Sequence, residues 1–360
     1  MKPGRSKITC RRYLLAAATA SATAIAALGT AHASDLEPEV VYATTGGLME
    51  DSLTKHFYLP FEDEIGSEVV PVAIEVPDQW ARVEAMSRTG QMEFDIVTAT
   101  PPDLITHADK LMTLDCSKLP AVVENGVDGA CEDKGVMRTV GGMLIAYNKE
   151  ALDKAPSGWD DFWDVEAFPG PRGLPDTGDR DWWVPVVALL ADGVAPDDLF
   201  PLDLDRAYAK LDEVKPHIGV WWKSGNQLQQ IMRTNEVVMT MAYSGRLVAV
   251  TDEGFPWAAD WTNAVRDVGY MAVTKDAPNP NAAIAFLNFY YANSDGHPDF
   301  IRTVKYGTGS AKAADMMTEA ERAGIATSAE NFPKLVIADY QWIGDNRDML
   351  RKRWNDWLTQ

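Results

Sequence analysis

Val40-Val41-Tyr42-Ala43-Thr44, followed by Thr45-Gly46-Gly47 and a helical stretch from Leu48 to about Glu64, is the segment whose reading decides the fold. It reads as a strand, a glycine turn and a helix. The unit then repeats. Val69 to Ile74 is a second apolar strand, and Asp78 after Pro77 is placed to cap a helix carrying Ala81, Val83 and Met86, which Gly90 ends. Phe94 to Thr98 is a third strand. This β-α-β-α-β order predicts an α/β fold with a parallel sheet and helices on its faces. Ligands of such sheets bind beyond the carboxyl ends of the strands. The loops there are 44–47, 75–78 and 99–103, and they make Thr45, Gly46 and Asp103 candidate binding residues.

Further along, Met143 to Tyr147 reads as a strand, and Trp159-Asp160-Asp161-Phe162-Trp163 starts a short helix before a Gly/Pro-rich stretch, 169–175. Trp182 to Leu190 and Asp205 to Val214 read as helices, and Ser224 caps another with Leu228, Ile231 and Met232 on one face. Val237 to Ala242 and Gly269 to Val273 read as strands. Asn279-Pro280 opens a helix whose Ala283, Phe286, Leu287 and Tyr290 fall at i, i+3, i+4, i+7. The tail, from about Asn331, reads as helical and ends with Trp354 and Trp357. There is no internal repeat and no low-complexity linker, so two lobes joined by several crossovers are expected rather than separate beads.

The first thirty-three residues read as an export signal. Lys2, Arg5, Lys7, Arg11 and Arg12 precede an Ala-rich apolar stretch, and Ala31-His32-Ala33 is a small-x-small cleavage pattern, predicting cleavage after Ala33 and a periplasmic protein. Arg11-Arg12-Tyr13-Leu14-Leu15 is similar to a twin-arginine signal, with Cys10 where Ser or Thr is usual, so the route stays open. Losing those five cations leaves 28 of the 33 Lys and Arg against 53 Asp and Glu, a net charge of −25. Such a surface repels phosphate backbones and anionic lipid, which excludes nucleic acid as a partner, and it suits either solubility outside the cytoplasm or a cationic ligand, between which charge alone does not choose. Cys116 and Cys131 are expected to pair in an oxidising compartment, the alternative being two buried thiols. No nucleophile elbow, phosphate loop or metal-ligand spacing appears, so no cofactor, no metal and no catalysis are expected.

Several stretches taken in order resemble the extracytoplasmic polyamine-binding (spermidine/putrescine) family of ABC solute-binding proteins. They are Phe94-Asp95-Ile96-Val97, the segment from Met112 to Pro120, Ile145-Ala146-Tyr147-Asn148, and Trp159 to Asp164. Tyr243-Ser244-Gly245-Arg246 and the segment from Val273 to Asn279 follow. The resemblance implies a type II periplasmic-binding-protein-like fold, with two hinged lobes around an interlobe ligand cleft. It implies a monomer that delivers its ligand to an inner-membrane ABC permease. Residues 34–142 with about 270–325 would form the N-terminal lobe, about 143–269 the C-terminal lobe, and about 326–360 helices across both.

Polyamine binders of that family hold ammonium groups with aspartates and stack the methylene chain on aromatics, which suits the cost of desolvating an isolated charge. The acidic cluster Asp176, Asp179 and Asp181 matches the region where the family carries acidic ligands, and Tyr243 stands where a tryptophan is common. Two departures point elsewhere. Where the family tends to carry Trp-x-Asp this chain reads Asp267-Val268-Gly269, leaving Asp267 as a displaced amine ligand or a solvated turn. Arg246 replaces a small residue and suits a ligand carboxylate, the alternative being an ion pair with a nearby acid. Gly46-Gly47 at a helix start would add N–H donors for the same anionic group. An ω-amino acid such as 4-aminobutyrate is therefore expected beside putrescine or spermidine. The doublets Trp182-Trp183 and Trp221-Trp222 are each expected to send at most one ring to the cleft, with Trp182 and Trp222 the candidates. Tyr306 sits in a Gly-rich loop placed to close on it. A secreted hydrolase with a carboxylate pair and a ferric-binding protein using Tyr290-Tyr291 are the competing functions.

Overall fold

The computed structural model describes residues 36–178 and 182–360. The expected signal segment, 1–33, and the candidates Asp179 and Asp181 lie outside the described residues. Among the described residues, ten strands form one mixed sheet: β1 Glu39–Thr44, β2 Glu68–Ala73, β3 Ile96–Ala99, β4 Cys131–Glu132, β5 Gly135–Asn148, β6 Arg172–Pro175, β7 Ile218–Trp222, β8 Met239–Tyr243, β9 Trp257–Val273 and β10 Gly307–Thr308. Along the sheet the order is β2-β1-β3-β9-β5-β8-β6-β7, with β4 and β10 also paired to β5. β1 lies parallel to β2 and β3, as the repeated strand–helix unit predicts. At the other end β6 is parallel to β7 and β8.

The two long strands join these ends. β5 and β9 are antiparallel from Val136 opposite Met271 to Asn148 opposite Trp257. The carboxyl half of β9 pairs with β3, and the carboxyl half of β5 pairs with β8. Only the later halves of both strands were expected. Their first halves carry charged residues and paired glycines, which blur an apolar strand pattern although the hydrogen-bond partners are present. β6 is likewise a correction: a Gly/Pro-rich stretch becomes a strand because β7 and β8 flank it with parallel partners. Asp78 is another, since Glu75 is the residue before the helix Val76–Thr89 and Asp78 sits inside its first turn.

Helix Pro280–Ala292 buries Ala283, Phe286, Leu287 and Tyr290 completely. Its adjacent tyrosines serve the core: Tyr290 donates to Arg138 O at 2.9 Å and Tyr291 to Met137 O at 2.7 Å, tying the helix to the start of β5. Among the described residues no group of three or more His, Cys, Asp or Glu suits a metal. The C-terminal helices Tyr340–Asp345 and Arg347–Leu358 bridge the two ends of the sheet. A methyl on Gly344 would stand 3.4 Å from Ile105, whereas Trp354 and Trp357 pack 5.7 and 5.8 Å from Trp221 of β7.

Cys116 and Cys131 form the expected disulfide, 15 residues apart. Closing a loop of that size stabilises by roughly 3 kcal/mol. Urea denaturation of Cys116→Ser/Cys131→Ser should show a loss near that value. His297 gives a second test. It is fully buried with Nε2 2.8 Å from Tyr290 O, and burial pushes its imidazole down to about 4. Because the folded value lies below the unfolded one, stability is complete above pH 6.5 and falls as pH drops toward 4. The stability advantage of wild type over His297→Gln should therefore shrink by roughly 3 kcal/mol between pH 7 and pH 4.

Candidate ligand-binding cleft

The loops after β1, β2 and β3 open onto two cavities. The larger, about 400 Å³, lies between Val76, Trp80 and Thr100–Asp103 on one side and Trp182 and Trp183 on the other. Arg266, Asp267 and Val268 of β9 form part of its wall, and Tyr340, Arg347 and Arg351 of the C-terminal helices close it. The smaller, about 210 Å³, is lined by Thr45, Thr98, Arg138, Thr139, Gly269 and Tyr306. Val76, Thr100, Asp267 and Val268 line both, so the two are compartments of one cleft.

Each lining side chain is set by local chemistry. Thr100 precedes helix Pro101–Thr106, and Asp103 Oδ2 accepts from its backbone N–H at 2.9 Å and its hydroxyl at 2.7 Å. One oxygen of Asp103 is thus committed to holding the turn. Trp80 stacks flat on His107, 4.1 Å apart, and burial lowers the imidazole pKa there. The Trp80 indole N–H is buried with no hydrogen-bond acceptor among the described residues. Trp182 meets Tyr340 edge-on at 6.2 Å and Trp183 at 5.5 Å. Asp267 lies opposite Gly141 in the β5–β9 ladder, at the junction of the compartments. Tyr306 packs across Gly141 and Gly245, whose added methyls would stand 2.9 and 2.6 Å from its ring.

Thr45, Asp103, Trp182, Asp267 and Tyr306 are therefore brought together, while Gly46, Trp222, Tyr243 and Arg246 line neither cavity. Gly46 N–H donates to Thr44 Oγ1 at 3.3 Å, and that hydroxyl donates to Glu50 at 2.6 Å, so a carboxylate of this chain already sits in the first helical turn. Trp222 is fully buried, donating to Met241 O at 3.1 Å. Tyr243 stands behind the cleft, 5.7 Å from Trp183 and 5.5 Å from Trp222. Arg246 donates to Gln229 at 3.3 Å and crosses Gly225, between helices Ser244–Asp252 and Gly225–Arg233. The doublets also divide differently from expectation. Trp182 and Trp183 both reach the cleft from a helix start, while β7 turns Trp221 to the C-terminal helix and Trp222 to the core.

Sequence reading missed Trp80, Arg138, Arg266, Arg347 and Arg351. Trp80 had a signal, its place just past the second strand. Arg138 had another, a lone cation in an apolar run. For Arg347 and Arg351 there was none, because only the packing of the C-terminal helices brings them to the cleft.

The comparisons with known proteins agree with this architecture. The model of the bacterial extracellular solute-binding protein family matches residues 58–330. A gamma-aminobutyric acid-binding protein of Pseudomonas aeruginosa is 32% identical over 324 residues, covering 88% of this chain and 89% of that one. A norspermidine sensor of Vibrio cholerae is 27% identical over 216 residues, covering 57% and 58%. The open, unliganded structure of the periplasmic binding protein AttC of Agrobacterium tumefaciens superimposes with a TM-score of 0.79 at 31% identity, covering 89% of this chain and all of that one. The fold is that of the periplasmic binding proteins.

The placement of Tyr306 yields a test. Gly245→Ala puts a methyl 2.6 Å from its ring and should cost about 1–3 kcal/mol. In a Tyr306→Ala background only part of that cost should disappear, because the methyl also meets the Lys305 carbonyl oxygen at 2.8 Å, as a double-mutant cycle by urea denaturation would measure.

Proposed function

Because the chain belongs to the family of bacterial extracellular solute-binding proteins, we propose that it captures a short zwitterion, an ω-amino acid of the 4-aminobutyrate class, for an ABC importer. The observation that carries this is the charge of the cleft. The chain has a net charge of −20, yet among the described residues the cavity walls present four arginines and two aspartates. A ligand with ammonium groups at both ends would leave the two nearly buried guanidiniums, Arg138 and Arg266, without a partner on the ligand, a cost of several kcal/mol for a buried ion, whereas Arg347 and Arg351 stand in water. One with a carboxylate at one end and an ammonium at the other matches both signs. The identity with the gamma-aminobutyric acid-binding relative over 88% of the chain supports the same class.

In this reading Asp267, at the junction of the compartments, takes the ammonium, and Asp103 holds the turn beside it. Trp182, Trp183 and Trp80 enclose the methylene chain and offer ring faces to the cation. Thr45 and Tyr306 line the inner compartment. Residues 34–142 with about 270–325 form one lobe and about 143–269 the other. They close by bending β5 and β9, and an inner-membrane permease receives the ligand from the closed form. The segment ending near Ala33 directs export to the periplasm. Binding without turnover is the expected activity.

A diamine is the second reading, supported by the family resemblance and by the norspermidine sensor, which matches over a shorter stretch. Calorimetry decides between them. 4-Aminobutyrate should bind at least about a hundredfold more tightly than putrescine, the ~3 kcal/mol of one correctly paired charge. The reverse order would overturn the zwitterion reading.

A further inference from the structure

We propose that Arg138, at the inner end of the cleft, is the residue that receives the ligand carboxylate; this rests on the zwitterion reading above. Arg138 interrupts the apolar run Val136-Met137-Arg138-Thr139-Val140 of β5 and is only 5% exposed. Tyr290 holds its backbone carbonyl at 2.9 Å. Its guanidinium spends one nitrogen on neutral partners: Nη1 donates to Tyr42 OH at 3.0 Å and to Thr98 Oγ1 at 3.1 Å. Nε has no partner among the described residues. An arginine keeps its charge in a protein, and a buried charge without a counter-ion costs several kcal/mol. Its strongest electrostatic neighbours are Tyr42, Tyr58 and Tyr290, with no carboxylate among them.

The other buried arginines differ in instructive ways. Arg172 is fully buried too, but all three of its nitrogens are spent on the backbone carbonyls of Phe162, Gly170 and Asp164, and it lines neither cavity. That is an arginine used as a structural pin. Arg266 faces the larger compartment but lies near enough to Glu132 to oppose the rise that burial causes in that carboxyl's pKa. Arg138 has neither a full set of acceptors nor a directly bonded acid among the described residues, and it lines the cleft.

Gly269 stands beside the guanidinium. This residue lines the same compartment, pairs with Thr139 across the ladder, and would place a methyl 3.5 Å from Arg138 Nη2. Thr45 and Thr139 stand around the same space with hydroxyl groups able to donate to a carboxylate. Asp267 stands at the mouth of this compartment, toward Trp182. A short ω-amino acid therefore enters with its carboxylate inward and its ammonium toward the larger compartment.

The test compares 4-aminobutyrate with 4-aminobutanamide, which replaces the carboxylate by a neutral amide of the same shape, on the full exported chain by calorimetry. Wild type should prefer the carboxylate by at least about tenfold, the worth of a charge-assisted pair. In Arg138→Gln that preference should fall to within about threefold, because a neutral side chain has no charge to discriminate with. Arg138→Lys keeps the charge but not the fork, should retain only part of the preference, and decides the matter should the glutamine variant not fold. A folded variant that keeps the full wild-type preference overturns the assignment to Arg138 while leaving the zwitterion reading intact. Wild type that binds neither compound overturns that reading and the assignment with it.

Discussion

Hydrogen bonding between β5 and β9 is the interaction on which the rest of the molecule depends. The ladder runs from Val136 opposite Met271 to Asn148 opposite Trp257 and is the only strand pairing among the described residues that reaches both ends of the sheet. β3 with β1 and β2 is attached at one end, β8 with β6 and β7 at the other. Two register shifts, at Met137/Thr139 and Met143/Ile145, interrupt it. Such bulges bend a strand and increase its twist. Between them Gly141 and Gly142 leave room for the rings of Tyr306 and Trp261, which an added methyl would meet at 2.9 and 2.8 Å. The same strands carry Arg138, Thr139, Arg266, Asp267 and Gly269 to the cleft wall. Joining the sheet and lining the cavity are thus tasks of one ladder.

Charge acts differently outside and inside that cleft. Exposed pairs such as Arg82–Glu93 and Lys352–Asp356 have short contacts, 2.6 and 2.5 Å, but both partners stand largely in water, where such pairs contribute little. The acidic excess belongs to this hydrated surface. In the cleft, Arg138 and Arg266 are nearly buried on the strands, whereas Arg347 and Arg351 stand exposed on the C-terminal helix. Net charge therefore says little about the ligand. Where each charge is desolvated matters far more.

The aromatic residues divide by the same geometry. Trp159, Trp222, Trp257 and Trp261 each donate an indole N–H to a backbone carbonyl and serve as core. Trp80, Trp182 and Trp183 stand at or near helix starts beyond strand ends, where loops gather, and line the larger cavity while largely buried. Trp354 and Trp357 seal β7 beneath the C-terminal helix, with their N–H groups given to Asp176 and Asp212.

What the sequence determined by itself was local and periodic. The strand–helix repeat from Val40 to Thr98, the helix buried through Ala283, Phe286, Leu287 and Tyr290, and the pairing of Cys116 with Cys131 all follow from spacing, caps and redox chemistry within short windows. The motif resemblance pointed to the solute-binding class, and strand-end logic alone reached Thr45 and Asp103. Only the tertiary structure decided that Asp267 and Tyr306 share a cleft with Trp182, that Arg246 lies between two helices instead, and that four other arginines take the cleft. A side chain's charge is written in the chain, but whether it meets water, a carbonyl or a cavity depends on what distant strands and helices bring beside it. For Arg138 the deciding neighbours are Tyr42, Thr98 and Gly269, all more than thirty residues away.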